Sequence, residues 1–191
     1  MAGGSPEILA ENKGSNMRHV LAVCVFAIIA HIPAYGQDFK PLLKAGDLTG
    51  WKMAKGGDSL DGKVDAANKR FTISDGVLKI DPKVKGDITI QTAREFSGNV
   101  HLKFEFKPDA KCNNDTFLRG IKFDLKKPDV KNLKVDEWNQ FEIIIKGESA
   151  EYKCNGESLK TFKLKPGKTP FAIRAEFGGI EIRNLVASET P

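Results

Sequence analysis

Apolar and polar residues alternate in short runs along much of this chain. Val100, Leu102, Phe104 and Phe106 interleave with His101, Lys103, Glu105 and Lys107. Further on, Phe171, Ile173, Ala175 and Phe177 form one apolar series, and Ile180 and Ile182 begin another. Side chains of a strand point alternately to its two faces, so these runs predict half-buried β-strands. Residues 141–145 add a run rich in β-branched side chains, which favour strands. From residue 37 onward no long stretch repeats apolar residues at i, i+3, i+4 and i+7, so no amphipathic helix is expected.

Turn residues punctuate the runs. Asp75-Gly76 and Asn155-Gly156 are hairpin signals, because tight two-residue turns need φ > 0. Gly178-Gly179 reads the same way and makes residues 169–185 a closing hairpin. Its core face would carry Phe171, Ile173, Ala175, Phe177 and Ile182, and its polar face Arg174, Glu176, Glu181 and Arg183. Residues 117–125 read as one strand. Pro108, Pro128, Pro166 and Pro170 fall at expected strand ends, where a missing N–H is tolerated. About ten short strands at this spacing predict an all-β fold, a two-sheet antiparallel β-sandwich or jelly roll. There is no internal repeat and no sign of a second domain.

The chain has 191 residues, 40% hydrophobic and 29% charged, with a formal net charge of +5. The lysines are interspersed with acids and never clustered, which argues against a nucleic-acid partner. The first 36 residues read as an extension plus a signal peptide, ahead of a domain over 37–191. Met17-Arg18-His19 supplies a basic start, residues 20–32 an apolar run too short to span a bilayer, and Ala34-Tyr35-Gly36 a cleavage site before Gln37. No stable membrane span is expected after cleavage, and the expected location is secreted or periplasmic. Cys24 lies in a partial lipobox and would be lost with the leader. Export implies an oxidising compartment, which leaves Cys112 and Cys154 either as a disulfide or as two separate thiols.

Candidate chemistry is sparse. His101, the one histidine after the leader, lies on a polar strand face, and no nucleophile elbow or phosphate-binding glycine loop accompanies it. No spacing suggests a zinc site or a calcium loop, so neither cofactor nor metal is expected. Carboxylates remain: Glu105, Asp115, Asp124, Glu142, Glu176 and Glu181 lie on or near expected strands. Two such groups can cleave a glycosidic bond, one as acid and one as base or nucleophile. Glu176 stands out because it shares a face with Arg174 beside the glycine pair. Trp51 and Trp138 are each either packing residues or platforms for a sugar ring.

The order of several motifs resembles the 3-keto-disaccharide hydrolase domain family. LLKAGDLTGW at residues 42–51 is similar to the family's LFNGKDLTGW. Asp75-Gly76-Val77-Leu78, Phe104-Glu105-Phe106-Lys107, NNDTFLRG at 113–120, Glu137-Trp138-Asn139 and Asn155-Gly156 match further family positions in order. Residues 169–185 resemble its closing IGLQAEGGPIEFRNI. The departures are a short segment between Arg119 and Trp138, Asn114-Asp115 in place of Ser-Gly, and Arg174 in place of Gln. The resemblance implies a concanavalin A-like jelly roll acting on a glycoside or 3-keto-disaccharide. It carries over Glu105, Asn113, Arg119 and Glu176. With Asp124 added as a nearby carboxylate, the expected catalytic pair is Glu176 and Asp124. Glu105, Asn113, Arg119, Arg174 and Trp138 are the expected substrate contacts. Two other roles stay open: a non-catalytic carbohydrate-binding module, and a structural or interaction module of an exported assembly.

Overall fold

A computed structural model describes residues 38–191. The leader, its cleavage site and Cys24 lie outside the described residues. The described residues form fourteen strands and no helix. In chain order these are Lys40–Pro41 (β1), Trp51–Met53 (β2), Asp65–Ala66 (β3), Phe71–Ser74 (β4), Val77–Ile80 (β5), Ile88–Phe96 (β6) and Asn99–Pro108 (β7). Then follow Asn113–Leu118 (β8), Ile121–Asp124 (β9), Asn139–Lys146 (β10), Ser149–Cys154 (β11), Glu157–Lys163 (β12), Thr169–Phe177 (β13) and Ile180–Thr190 (β14).

The strands make two antiparallel sheets packed as a sandwich. The larger runs β12-β11-β10-β7-β14-β5-β4-β3, with β1 on the second half of β14, and the smaller runs β2-β6-β13-β8-β9. The alternating apolar residues of each sheet face inward. Val100, Leu102, Phe104 and Phe106 on β7 are buried, as are Phe171, Ile173 and Ala175 on β13 and Ile180 and Ile182 on β14. Aromatic rings join the layers. Phe104 of the larger sheet lies 6.3 Å from Phe171 of the smaller, and Tyr152 stacks on Phe123 at 4.9 Å. Each buried ring contributes on the order of 2 kcal/mol. Trp51 belongs to this core, donating its indole N–H to the Leu42 carbonyl at 2.7 Å.

The hairpins at Asp75-Gly76 and Asn155-Gly156 form as expected, with φ of 51° and 75° at the first and 49° and 83° at the second. The closing stretch differs. β13 and β14 belong to different sheets, so Gly178-Gly179 is a corner and not a hairpin turn. Phe177 accordingly leaves the core face and is 63% exposed. The expected single strand at 117–125 is two, because Arg119 and Gly120 take φ of 50° and 79° and turn β8 back along β9. A positive φ at an arginine, unlike one at Asn, Asp or Gly, gives no local sequence signal. The strand count exceeds about ten because several edge pieces are only two or three residues long. Cys112 and Cys154 are separate buried thiols, and burial pushes Cys112 up to about 11.

Candidate functional site

Three neighbouring strands of the smaller sheet bring opposite and like charges together. On β13 the outward positions include Arg174 and, two residues on, Glu176. Across the ladder from Arg174 is Asp115 on β8, and across from Asp115 is Asp124 on β9. The first cross-strand pair is favourable and the second is not, since like charges directly opposite repel. The resolution is electrostatic. Lys122 lies 2.9 Å from Asp124 and 3.5 Å from Asp115, and Arg174 pairs with Asp115 and lies 3.3 Å from Glu176.

Protonation completes the balance. Asp115 is fully buried, and burial pushes its carboxyl up to about 7, helped by the hydrogen bond it shares with Asp124. For Asp124, burial acts upward but is outweighed by that hydrogen bond and by Lys122, so it stays below the usual carboxylate range. Burial and the facing Asp124 therefore favour the protonated form of Asp115, while Lys122 favours the ionised form of Asp124. Carboxylate oxygens of Asp115, Asp124 and Glu176 all lie within 4.8 Å of one another. That spacing would suit a cation, but Arg174, Lys122 and Lys126 already offset the negative charge.

The backbone of Glu176 is clamped from two sides. Its N–H donates to Asn114 Oδ1 at 2.9 Å, and its carbonyl accepts from the buried Arg70 guanidinium at 2.9 Å. Arg70 also donates to the Asp81 carbonyl, tying the start of the 81–87 loop to the end of β13. Just beyond, a Cβ on Gly178 would stand 2.5 Å from the Cys112 nitrogen at a φ of 69°, and the Gly179 N–H donates to Asp109 Oδ2 at 2.6 Å. Only glycine permits this close approach of backbones. The β13–β8 register also shifts between Arg174 and Phe177, and such bulges re-aim side chains.

Two cavities flank the cluster. One of about 810 Å³ is lined by Glu176, Phe177, Gly178, Lys85, Asp87 and Lys111 among others. Another of about 350 Å³ is lined by Arg174, Ala172, Phe117, Thr89 and Gln91 among others. Glu176 thus borders one cavity and Arg174 the other.

Of the residues expected at a site, Glu176, Asp124 and Arg174 are brought together. Asn113 lies across the ladder from Phe177, at the same end of β13. Arg119 is instead turned to the β6–β7 connection, with its guanidinium 2.5 Å from the Ser97 carbonyl and 3.3 Å from that of Gly98. Glu105 lies on the larger sheet, accepting from Arg183 at 2.7 Å and Asn184 at 3.1 Å. Trp138 lies with it, its ring under the Arg183 guanidinium at 3.9 Å. Sequence reasoning missed Arg70 and the inward Asn114. Asn114 sits in a polar run, Asn113 to Thr116, with no apolar alternation to mark it, yet Asn114, Asp115 and Thr116 are buried.

The fold is an all-β, two-sheet antiparallel sandwich of the jelly-roll type, with a polar cluster on the outer face of the smaller sheet. No family model and no curated protein matches the sequence. Solved structures share the architecture. A candidate glycosyl hydrolase of Parabacteroides distasonis superposes with a TM-score of 0.65 at 18% identity, over 80% of this chain and 94% of that one. A second from the same organism gives 0.60 at 17% identity, over 80% and 99%. A carbohydrate-binding module from Bacillus subtilis gives 0.54 at 9% identity, over 77% and 99%. At these identities the likeness is one of fold.

Proposed function

We propose that this is an exported hydrolase that cleaves a glycoside on the outer face of the smaller sheet. The substrate class suggested by the motif resemblance is a 3-keto-disaccharide, and the apolar run at residues 20–32 supports export. The observation that carries the reading is the placement of Glu176 and Asp124. Their carboxylate oxygens approach within 4.8 Å beside the buried Asp115, and Glu176 lines the larger cavity. Glycosidases need two carboxylates flanking the bond. A separation of about 5–5.5 Å suits a retaining pair, whereas about 6.5–9.5 Å leaves room for an attacking water. Asp124, kept ionised, serves as nucleophile or base. Glu176, at the edge of the larger cavity, acts as acid/base at the leaving oxygen. Arg174 holds a sugar oxygen between them.

A non-catalytic saccharide-binding role is the second reading. It is favoured by the ion pairs that already engage Arg174 with Asp115 and Glu176. The two part in one experiment, in which 3-ketosucrose and 3-ketotrehalose are offered to the wild type and to Glu176→Gln. Release of monosaccharide is followed by chromatography and binding by calorimetry. The hydrolase reading expects turnover in the wild type and a loss of about 100-fold or more in the variant, with binding retained. Binding without turnover in the wild type selects the second reading, and neither binding nor turnover refutes both.

A further inference from the structure

Two large apolar side chains are left exposed among the described residues, Val64 at 57% and Phe177 at 63%. A single exposed apolar residue is ordinary on a protein surface. Phe177 differs by where it sits and how it is held. It lines the 810 Å³ cavity, a size typical of small-molecule sites. It follows Glu176 directly, and the alternation that buries Phe171, Ile173 and Ala175 stops at it. Its neighbours on both sides are fixed. Asn114 and Arg70 hold the Glu176 backbone, while Gly178 is pressed against the 109–112 loop with no room for a Cβ. The exposed ring is therefore a built feature of a rigid corner.

We infer that Phe177 is the platform on which the apolar face of a pyranose ring stacks, in a saccharide subsite next to Glu176. Sugar rings offer C–H groups on one face and hydroxyls around the rim, which calls for an aromatic surface with polar groups at its margin. Lys85, Asp87 and Lys111 line the same cavity and supply donors and an acceptor for the rim. Asp109 is less suited to that task, since its carboxylate already accepts from the Lys111 and Gly179 backbone N–H groups at 2.8 and 2.6 Å. The inference deepens the hydrolase reading and rests on it.

The test uses Phe177→Ala, Phe177→Trp and the control Val64→Ala in the full chain, with thermal melts to verify folding. Binding of 3-ketosucrose, 3-ketotrehalose, sucrose and trehalose is measured by calorimetry. Phe177→Ala should weaken binding about tenfold while Phe177→Trp stays within about threefold of wild type, as expected for loss and retention of one ring contact. Val64→Ala should bind as wild type. In Phe177→Trp the new indole should change its emission on saturation, against a background from buried Trp51 and from Trp138 on the other sheet. Wild-type affinity in Phe177→Ala, or an unchanged emission in Phe177→Trp under saturating sugar, overturns the platform and leaves the hydrolase reading standing. If the wild type binds none of the four sugars, both fall.

Discussion

The outer faces of the two sheets are written in the same alternating code of charged residues, yet they are physically different surfaces. On the larger sheet every paired charge keeps some contact with solvent, and none is fully buried. Glu181 lies between Lys79 and Lys107 at 3.9 and 2.9 Å, Arg183 meets Glu105 at 2.7 Å, and Glu142 meets His101 and Lys103 at 2.7 and 3.8 Å. Water screens such pairs and each contributes little. On the smaller sheet Asp115 is fully buried between Arg174 and Asp124, and the neighbouring Glu176 and Arg174 each line a cavity. There desolvation makes each charge depend on its neighbours. Alternation identifies an outer face. Burial decides whether that face is a solvated surface or a place for chemistry.

The largest expected effect contrasts two arginines. Arg174→Leu leaves Asp115 buried without its main partner and should cost about 3–5 kcal/mol near pH 8. The loss should shrink near pH 5, where Asp115 is protonated. Arg183→Leu on the larger sheet should cost about 1 kcal/mol or less, including its contact with Trp138. Urea titrations of both variants at the two pH values check this, and equal costs would erase the distinction between the faces. Next comes Arg119, where the β6–β7 connection between the sheets is held. Arg119→Ala loses charged hydrogen bonds to two carbonyls and should cost about 2–3 kcal/mol. A variant with wild-type melting behaviour but weakened saccharide binding would return Arg119 to the role of a ligand contact.

These contrasts mark how far the sequence is legible. Local turns can be read because their chemistry is local: Asp75-Gly76 and Asn155-Gly156 supply the positive φ they need. The inward series on β7, β13 and β14 is legible for the same reason, since period-two alternation needs no partner. Which sheet a strand joins is another matter. Gly178-Gly179 suits a hairpin or a corner equally well, and only long-range packing chooses the corner. The candidate site divides along the same line. Arg174 and Glu176 share a face by spacing alone. The meeting of Asp115 with Asp124 depends on the turn at Arg119-Gly120, which carries an arginine where a glycine or asparagine would have announced it. Arg70 reaches Glu176 across 106 positions, and nothing near it in sequence foretells that contact.

The buried carboxyl gives the comparison a pH axis. Asp115 is raised in the folded state from near 3.8 up to about 7, so between these values the folded chain holds a proton that the unfolded chain releases. Its contribution to stability is therefore full below the lower value and lost as pH rises toward the upper one. Asp124 is shifted the other way, and its effect falls below its ordinary range, outside this window. Asp115→Asn should flatten the decline between pH 4.5 and 8, by on the order of 2 kcal/mol. The check is the denaturation midpoint of wild type and variant at both pH values. A wild type equally stable at both would mean that the charge is neutralised without a proton.

The smallest effect belongs to the open face. Glu181→Gln removes contacts to two lysines, one of them more than half exposed, and keeps the side chain's shape. It should change stability by less than about 0.5 kcal/mol, and the difference should vanish in about 1 M salt, where screening acts over about 3 Å. Thermal melts in low and high salt measure it. Were Glu181→Gln to cost as much as Arg174→Leu and to resist salt, the larger sheet would hold its charges as tightly as the smaller one. The reason for placing the site beside Asp115 would then be gone.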